Sequence, residues 1–163
     1  MPSLRAALCA FLLGLAPLAT AAVTVIEADA YVDVERGKLV RPAVIVIEGE
    51  HIAAVNPDSI PSDADRIDLG GHVLLPGLID VHTHLTMDIS EGWRERRVKE
   101  TAGDRALRGA RNAKLTIEAG FTTVRDLGGR QFADVALAHA IEAGFVPGPR
   151  MIPSAHSISI TGG

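Results

Sequence analysis

The sequence predicts an α/β protein in which a β-rich part, residues 23–75, is followed over residues 76–163 by strands alternating with helices. Three observations carry this. β-Branched runs crowd the first part, as in VTVIEA, AVIVIEGEHIAAV and RIDLGGHVLL. After Pro76, strand-like stretches recur at roughly 30-residue spacing with helical periodicity between them. The composition, 47% apolar with few charge runs, is that of a folded globule rather than a disordered chain.

The N-terminal stretch MPSLRAALCAFLLGLAPLATAA places one arginine ahead of an apolar run from Ala6 to Leu18 and then small residues. This is the layout of a secretory signal peptide over residues 1–22, with cleavage near Ala21 or Ala22. A retained membrane helix needs about 20 apolar residues, more than this run offers. The expectation is therefore a periplasmic or secreted protein with no membrane association after cleavage. Cys9, the one cysteine, lies inside the run and leaves with it. The mature chain then has neither disulfide nor thiolate, and any metal must be held by His, Asp, Glu or a modified Lys. A net charge of -4 with no Lys/Arg stripe beyond the short RERR at residues 94–97 excludes nucleic acid as a partner.

Within residues 23–75, AVIVIEGEHIAAV reads as a hairpin turning at Glu48-Gly49-Glu50, part of a small antiparallel sheet. After Pro76, LIDVHTHL is a strand and DISEGWRERRVKETAGD a charged loop. DRALRGARNAKLTIEAG is a helix with Asp104 as N-cap, Leu107, Ala110, Lys114 and Ile117 at helical spacing, and Gly120 as its end. FTTVRDL is the next strand, QFADVALAHAIEAG a second helix closed by Gly144, and RMIPSA a third strand. Such repeats make parallel βαβ units, with the helices on one side of a curving sheet.

The chemistry concentrates in GLIDVHTHL. Strand alternation puts Leu78, Asp80, His82 and His84 on one face, and Ile79, Val81, Thr83 and Leu85 on the face that packs against helices. Two same-face imidazoles sit about 6 to 7 Å apart at their backbones, near enough to converge on one ion. They also fall at the C-terminal end of the first parallel strand, where βα barrels build their active sites. Two satisfied core histidines, or a pair exposed at a strand end, are the competing readings. Asp80 either orients a metal ligand or makes a structural hydrogen bond.

DLGGHVLLPGLIDVHTHL resembles the junction in the amidohydrolase superfamily where a β-sandwich passes into the first strand of a (β/α)8 TIM-like barrel. NAKLTIEAGFTTVRDLGG, DVALAHAIEAGFVPGPRM and SISITGG resemble its prolidase-like branch, the Xaa-Pro and Xaa-Arg/Lys dipeptidases related to imidazolonepropionases. The resemblance implies a small β-sandwich part over residues 23–75 and the first three βα units of a barrel over residues 76–163. It matches His82 and His84 to the HxH metal ligands of the first strand. In the family these hold one ion of a usually binuclear, typically zinc, centre completed from strands 4, 5, 6 and 8. The aspartate that acts as general base is expected beyond residue 163, so no catalytic residue is assigned in this chain.

The implied activity is that of an exported dipeptidase cleaving a peptide bond with metal-activated water. Hydrolysis of a cyclic amide, as in imidazolonepropionase, is the alternative. A non-catalytic fragment lacking the full metal site is a third reading, because three of eight strands fall within the sequence. The expected partner is a small peptide or amide substrate, and association of identical chains is left open. His156, just beyond the third strand, is a candidate substrate contact. His51, His72 and His139 read as structural or solvated. Trp93 and the arginines beside it belong to a charged loop that either meets solvent or approaches substrate. The glycines of DLGG and TGG permit tight turns.

Overall fold

The structure, a computed structural model, describes residues 22–158, 160 and 161. The signal peptide expected over residues 1–22 lies outside the described residues except for Ala22, and so do Cys9, Gly162 and Gly163. The chain forms two compact units divided between Leu74 and Leu75.

The first unit is one five-stranded sheet. Strands β1 (Val23–Asp33), β2 (Lys38–Val40), β3 (Ala43–Glu48) and β4 (His51–Val55) run in the order β2-β1-β3-β4, and β5 (Asp65–Leu74) pairs with β1. The β3–β4 hairpin turns where the sequence places it. Glu48 pairs with His51, and Gly49 adopts the positive φ of 61° that a residue with a Cβ avoids. The sheet is mixed rather than purely antiparallel, because β5 runs parallel to β1 after a long return over residues 56–64. Val25, Ala28, Ala30, Ala43 and Val46 are its buried side chains. Arg66 bridges to Glu27 across the β1–β5 pair at 2.7 Å.

The second unit is a three-stranded parallel sheet, β6 (Leu78–Thr83), β7 (Phe121–Asp126) and β8 (Arg150–Pro153), in chain order. Between β6 and β7 come α1 (Trp93–Lys99) and α2 (Ala102–Glu118), and between β7 and β8 comes α3 (Ala133–Glu142). Leu85, Val124, Ala113 of α2 and Leu137 of α3 form the core, with Phe121, Ile141, Val146 and Met151 packed around it.

Three local expectations change. Residues 93–99, read as loop, form a helix, entered through Gly92 at φ 78° and carrying i,i+4 pairs of Glu95 with Lys99 and of Arg96 with Glu100. Helix α2 starts earlier than Asp104. Thr101 is its N-cap, and Asp104 is the third helical residue of a capping box, accepting from Thr101 N at 2.9 Å while its own N–H donates to Thr101 Oγ1. The buried stripe of α2 is Arg105, Gly109 and Ala113, and Leu107 is 75% exposed. A small residue is what the middle of this stripe requires, since a Cβ on Gly109 would lie 2.8 Å from Leu137 Cδ2.

The packing predicts unequal costs for two leucines. Leu137→Ala should lower the unfolding free energy by about 2–5 kcal/mol, and Leu107→Ala by about 0.5 kcal/mol or less, as read from urea midpoints. Equal shifts would contradict this core.

Candidate metal centre

His82 and His84 stand at the C-terminal end of β6 with their ring centroids 5.5 Å apart and their planes inclined by 73°. His82 is exposed and His84 half-buried. The Nδ1 of His84 lies 3.1 Å from the carbonyl oxygen of Gly128. A carbonyl only accepts, so this nitrogen carries a proton, and in the neutral ring the lone pair is then on Nε2. An imidazole held in this way by a backbone carbonyl has the tautomer and orientation that a metal ligand needs. Two imidazoles this close are near enough to share one ion. Among the described residues no cluster of three or more His, Cys, Asp or Glu side chains is arranged to hold a metal, so the pair is a partial donor set.

Asp80 does not share the face of the two histidines. The β6–β7 register slips by one residue between Asp80 and Thr83, with Asp80 opposite Val124 and Thr83 opposite Asp126. Paired residues of parallel strands face the same way. Asp80 therefore lies on the side of Val124, which packs under the helices, and the Asp80 carboxylate accepts the backbone N–H of His82 at 3.0 Å. The slip also turns Ile79 away from the helices, so that it and Val81 are 66% and 67% exposed, whereas Leu85 is buried as alternation from His84 requires.

The support of the pair is polar and buried. Asp126, at the end of β7, is fully buried, and its two oxygens accept from Leu85 N at 2.7 Å and Gly128 N at 3.3 Å. One carboxylate thus ties the residue after His84 to the residue whose carbonyl orients His84. Burial pushes the Asp126 carboxyl above the usual carboxylate range. The two N–H bonds oppose that shift, the neighbouring Asp134 adds to it, and His84 draws it back. From α2, Asn112 donates to Leu85 O at 2.8 Å and Arg108 to Thr86 O at 3.3 Å, fixing the same turn from behind.

The DLGG glycines serve close approach more than turning. A Cβ on Gly128, at φ 143°, would run into the Ser157 side chain and meet its backbone nitrogen at 3.3 Å. Gly129 N donates to Ala155 O at 2.7 Å, and Gly129 forms an isolated parallel bridge with His156. His156 is thereby brought beside the DLGG loop, exposed, with its ring 4.6 Å from that of Phe132. His51, His72 and His139 are exposed on β4, β5 and α3.

Sequence reasoning passed over Asp126, Asp134 and Arg130. Asp126 had a signal, as a lone carboxylate ending the apolar run FTTV before a glycine pair. Asp134 is fully buried and accepts from Ala155 N at 2.8 Å, which no spacing in the sequence announces.

Parallel strands with intervening helices, and a histidine pair at the C-terminal end of the first strand, define a βα protein of the kind that builds its site from strand-end loops. The chain belongs to the amidohydrolase family, whose model matches residues 73–161, more than half of the 163. It is similar to an imidazolonepropionase of Arthrobacter sp. (strain FB24), 47% identical over 29% of this chain and 12% of that protein. A dihydroorotase of Mycobacterium tuberculosis is 56% identical over 28% of this chain and 10% of its own length. Among solved structures, a Xaa-Pro dipeptidase with bound methionine in the active site matches 85% of this chain and 34% of its own, at 30% identity and a TM-score of 0.76. The chain therefore spans about a tenth of these curated relatives over the matched stretch and about a third of the solved one.

Asp126→Asn tests the support. An amide has one acceptor oxygen where the carboxylate has two, so either Leu85 N–H or Gly128 N–H would face an NH2 group. The expected cost is about 1–3 kcal/mol of stability, measured by urea unfolding, and an unchanged midpoint would refute the bridging role.

Proposed function

We propose that this protein is an exported, metal-dependent hydrolase that cleaves the peptide bond of dipeptides, with His82 and His84 as two of its metal ligands. The observation that carries the reading is the His84 ring, held at Nδ1 by the Gly128 carbonyl and set 5.5 Å from His82. A divalent ion of the zinc type would supply Lewis acidity toward the scissile carbonyl and the attacking water. The chain's own part is to present two lone pairs, to lock one ring by a carbonyl, and to hold the following turn rigid through Asp126, Asn112 and Arg108. The Asp80 carboxylate contributes by fixing the His82 backbone at the register slip.

Similarity to the Xaa-Pro dipeptidase along most of the described chain supports a dipeptide substrate. In this reading the three-stranded sheet is the start of a (β/α)8 barrel, the five-stranded sheet belongs to a β-sandwich, and residues 1–22 are a signal peptide. The substrate contact assigned to His156 agrees with its position beside the DLGG loop. Hydrolysis of a cyclic amide is the second reading, supported by the imidazolonepropionase match.

Purified protein assayed against dipeptides and cyclic amides separates the two. Dipeptide hydrolysis should fall at least about 100-fold on chelation, and as far in His82→Ala and His84→Ala, since even the partners behind metal ligands are worth about 10–100-fold. Full activity in all three cases would sink the metal reading, and exclusive turnover of cyclic amides would select the alternative.

A further inference from the structure

A cleft of about 340 Å3 is lined by the segments that follow all three parallel strands, among them Gly129, the residue after the one whose carbonyl holds His84. Met87 comes from the loop after β6, Gly129, Arg130 and Gln131 from the loop after β7, and His156 and Ser157 from the loop after β8, while Arg97 reaches in from α1. Its volume lies within the usual span of small-ligand sites, about 300–1,000 Å3. Among the described residues its lining holds two guanidiniums, an amide, an imidazole and a hydroxyl, and no carboxylate.

The positive charge here is not neutralised from behind. Glu100 and Asp88 are the nearby acids: Arg108 takes both oxygens of Glu100, with Nη1 to Oε2 at 3.1 Å, and Arg96 stands 3.4 Å from Asp88. Arg105, 5% exposed, stands 3.9 Å from the Glu100 carboxylate and spends its Nη2 on the Arg97 carbonyl at 2.9 Å. Arg130 is half-buried, and burial together with the Arg97 and Arg105 guanidiniums holds it below the usual arginine range. Like charges gathered in a partly desolvated cleft are a cost that a bound anion removes, and a guanidinium fork matches a planar carboxylate with two hydrogen bonds.

We propose that Arg130 and Arg97 form a subsite for a carboxylate of the substrate, so that the protein selects peptides bearing a free acid group at the end that enters this cleft. Arg130 is two residues from Gly128, whose carbonyl holds His84. The two Cα atoms are then no more than about 7.6 Å apart. The backbone that presents Arg130 is therefore tied, through Gly128, to the backbone carbonyl that holds His84. That the anion belongs to a substrate rests on the hydrolase reading above; the cleft's affinity for a carboxylate does not.

Trp93, the one tryptophan, supplies the probe, because the Arg97 guanidinium carbon lies 6.0 Å from its ring centre. In a fluorescence titration of the protein, N-acetylglycine should give a saturable change and N-acetylglycinamide none. Arg130→Met should weaken N-acetylglycine binding by about tenfold or more, the loss of hydrogen bonds to a charged group, with Arg130→Lys falling between. Equal responses to acid and amide, an unaltered Arg130→Met, or tighter binding of inorganic phosphate than of N-acetylglycine would each overturn the carboxylate subsite. In the kinetic arm, Arg130→Met should lower kcat/KM for a free dipeptide by about tenfold or more and lower that for its C-terminal amide far less. If neither peptide is hydrolysed, the dipeptidase reading fails, and the fluorescence result still decides whether the cleft binds carboxylates.

Discussion

The buried carboxylate of Asp126 is the constraint around which the second unit is arranged. It accepts one N–H from the segment leaving β6 and another from the DLGG loop leaving β7, and so couples two strand ends. Every other feature of the histidine pair presupposes that coupling. Gly128 must stay in place for its carbonyl to meet His84 Nδ1, and Leu85 must stay in place for its side chain to enter the core while His84 points the other way. Burying a charge without partners is costly, and two backbone donors are what make it tolerable here. Burial holds this carboxyl above the usual carboxylate range even with both donors in place. The arrangement thus concentrates an unfavourable group where position matters most.

The helices serve the same end. Helix α2 buries small residues against α3, and its longer side chains reach the carbonyls of Leu85 and Thr86 through Asn112 and Arg108. Gly148 shows how closely these layers pack, since a Cβ there would meet Ala113 Cβ at 2.9 Å. Apolar burial supplies cohesion, and the polar side chains of α2 convert it into a fixed backbone turn behind His84. A leucine at position 112 would keep part of the packing and lose the turn's hydrogen bond.

Much of this was legible in the sequence for identifiable reasons. Strand β6 stood out because alternation and two histidines coincide in eight residues, and the βαβ order because glycines at 120 and 144 punctuate the helices. The face assignment was right for His84 and Leu85 and failed for Asp80, Ile79 and Val81, because a one-residue register slip is fixed by pairing with β7 and leaves no mark in the strand's own pattern. Helix α1 was missed because its polar sequence buries none of its residues and so lacks an apolar stripe. The N-cap was misplaced by three residues because Asp is a good N-cap and an equally good third residue behind Thr101.

The arginines were the least legible part, and the reason is instructive. In sequence Arg97 belongs to a basic run whose direction nothing fixes, and Arg130 follows a glycine pair that reads as a turn. Only folding brings them to one cleft, by three separate loops held through backbone bonds such as Gly129 N to Ala155 O and Ser154 N to Asp126 O. The same DLGG loop thus orients His84 with its second-last residue and offers Arg130 immediately after its last. Coupling those two tasks through one short segment has a physical advantage. Whatever Asp126 does to hold Gly128 in place also limits how far the backbone that presents Arg130 can move from the carbonyl that orients His84.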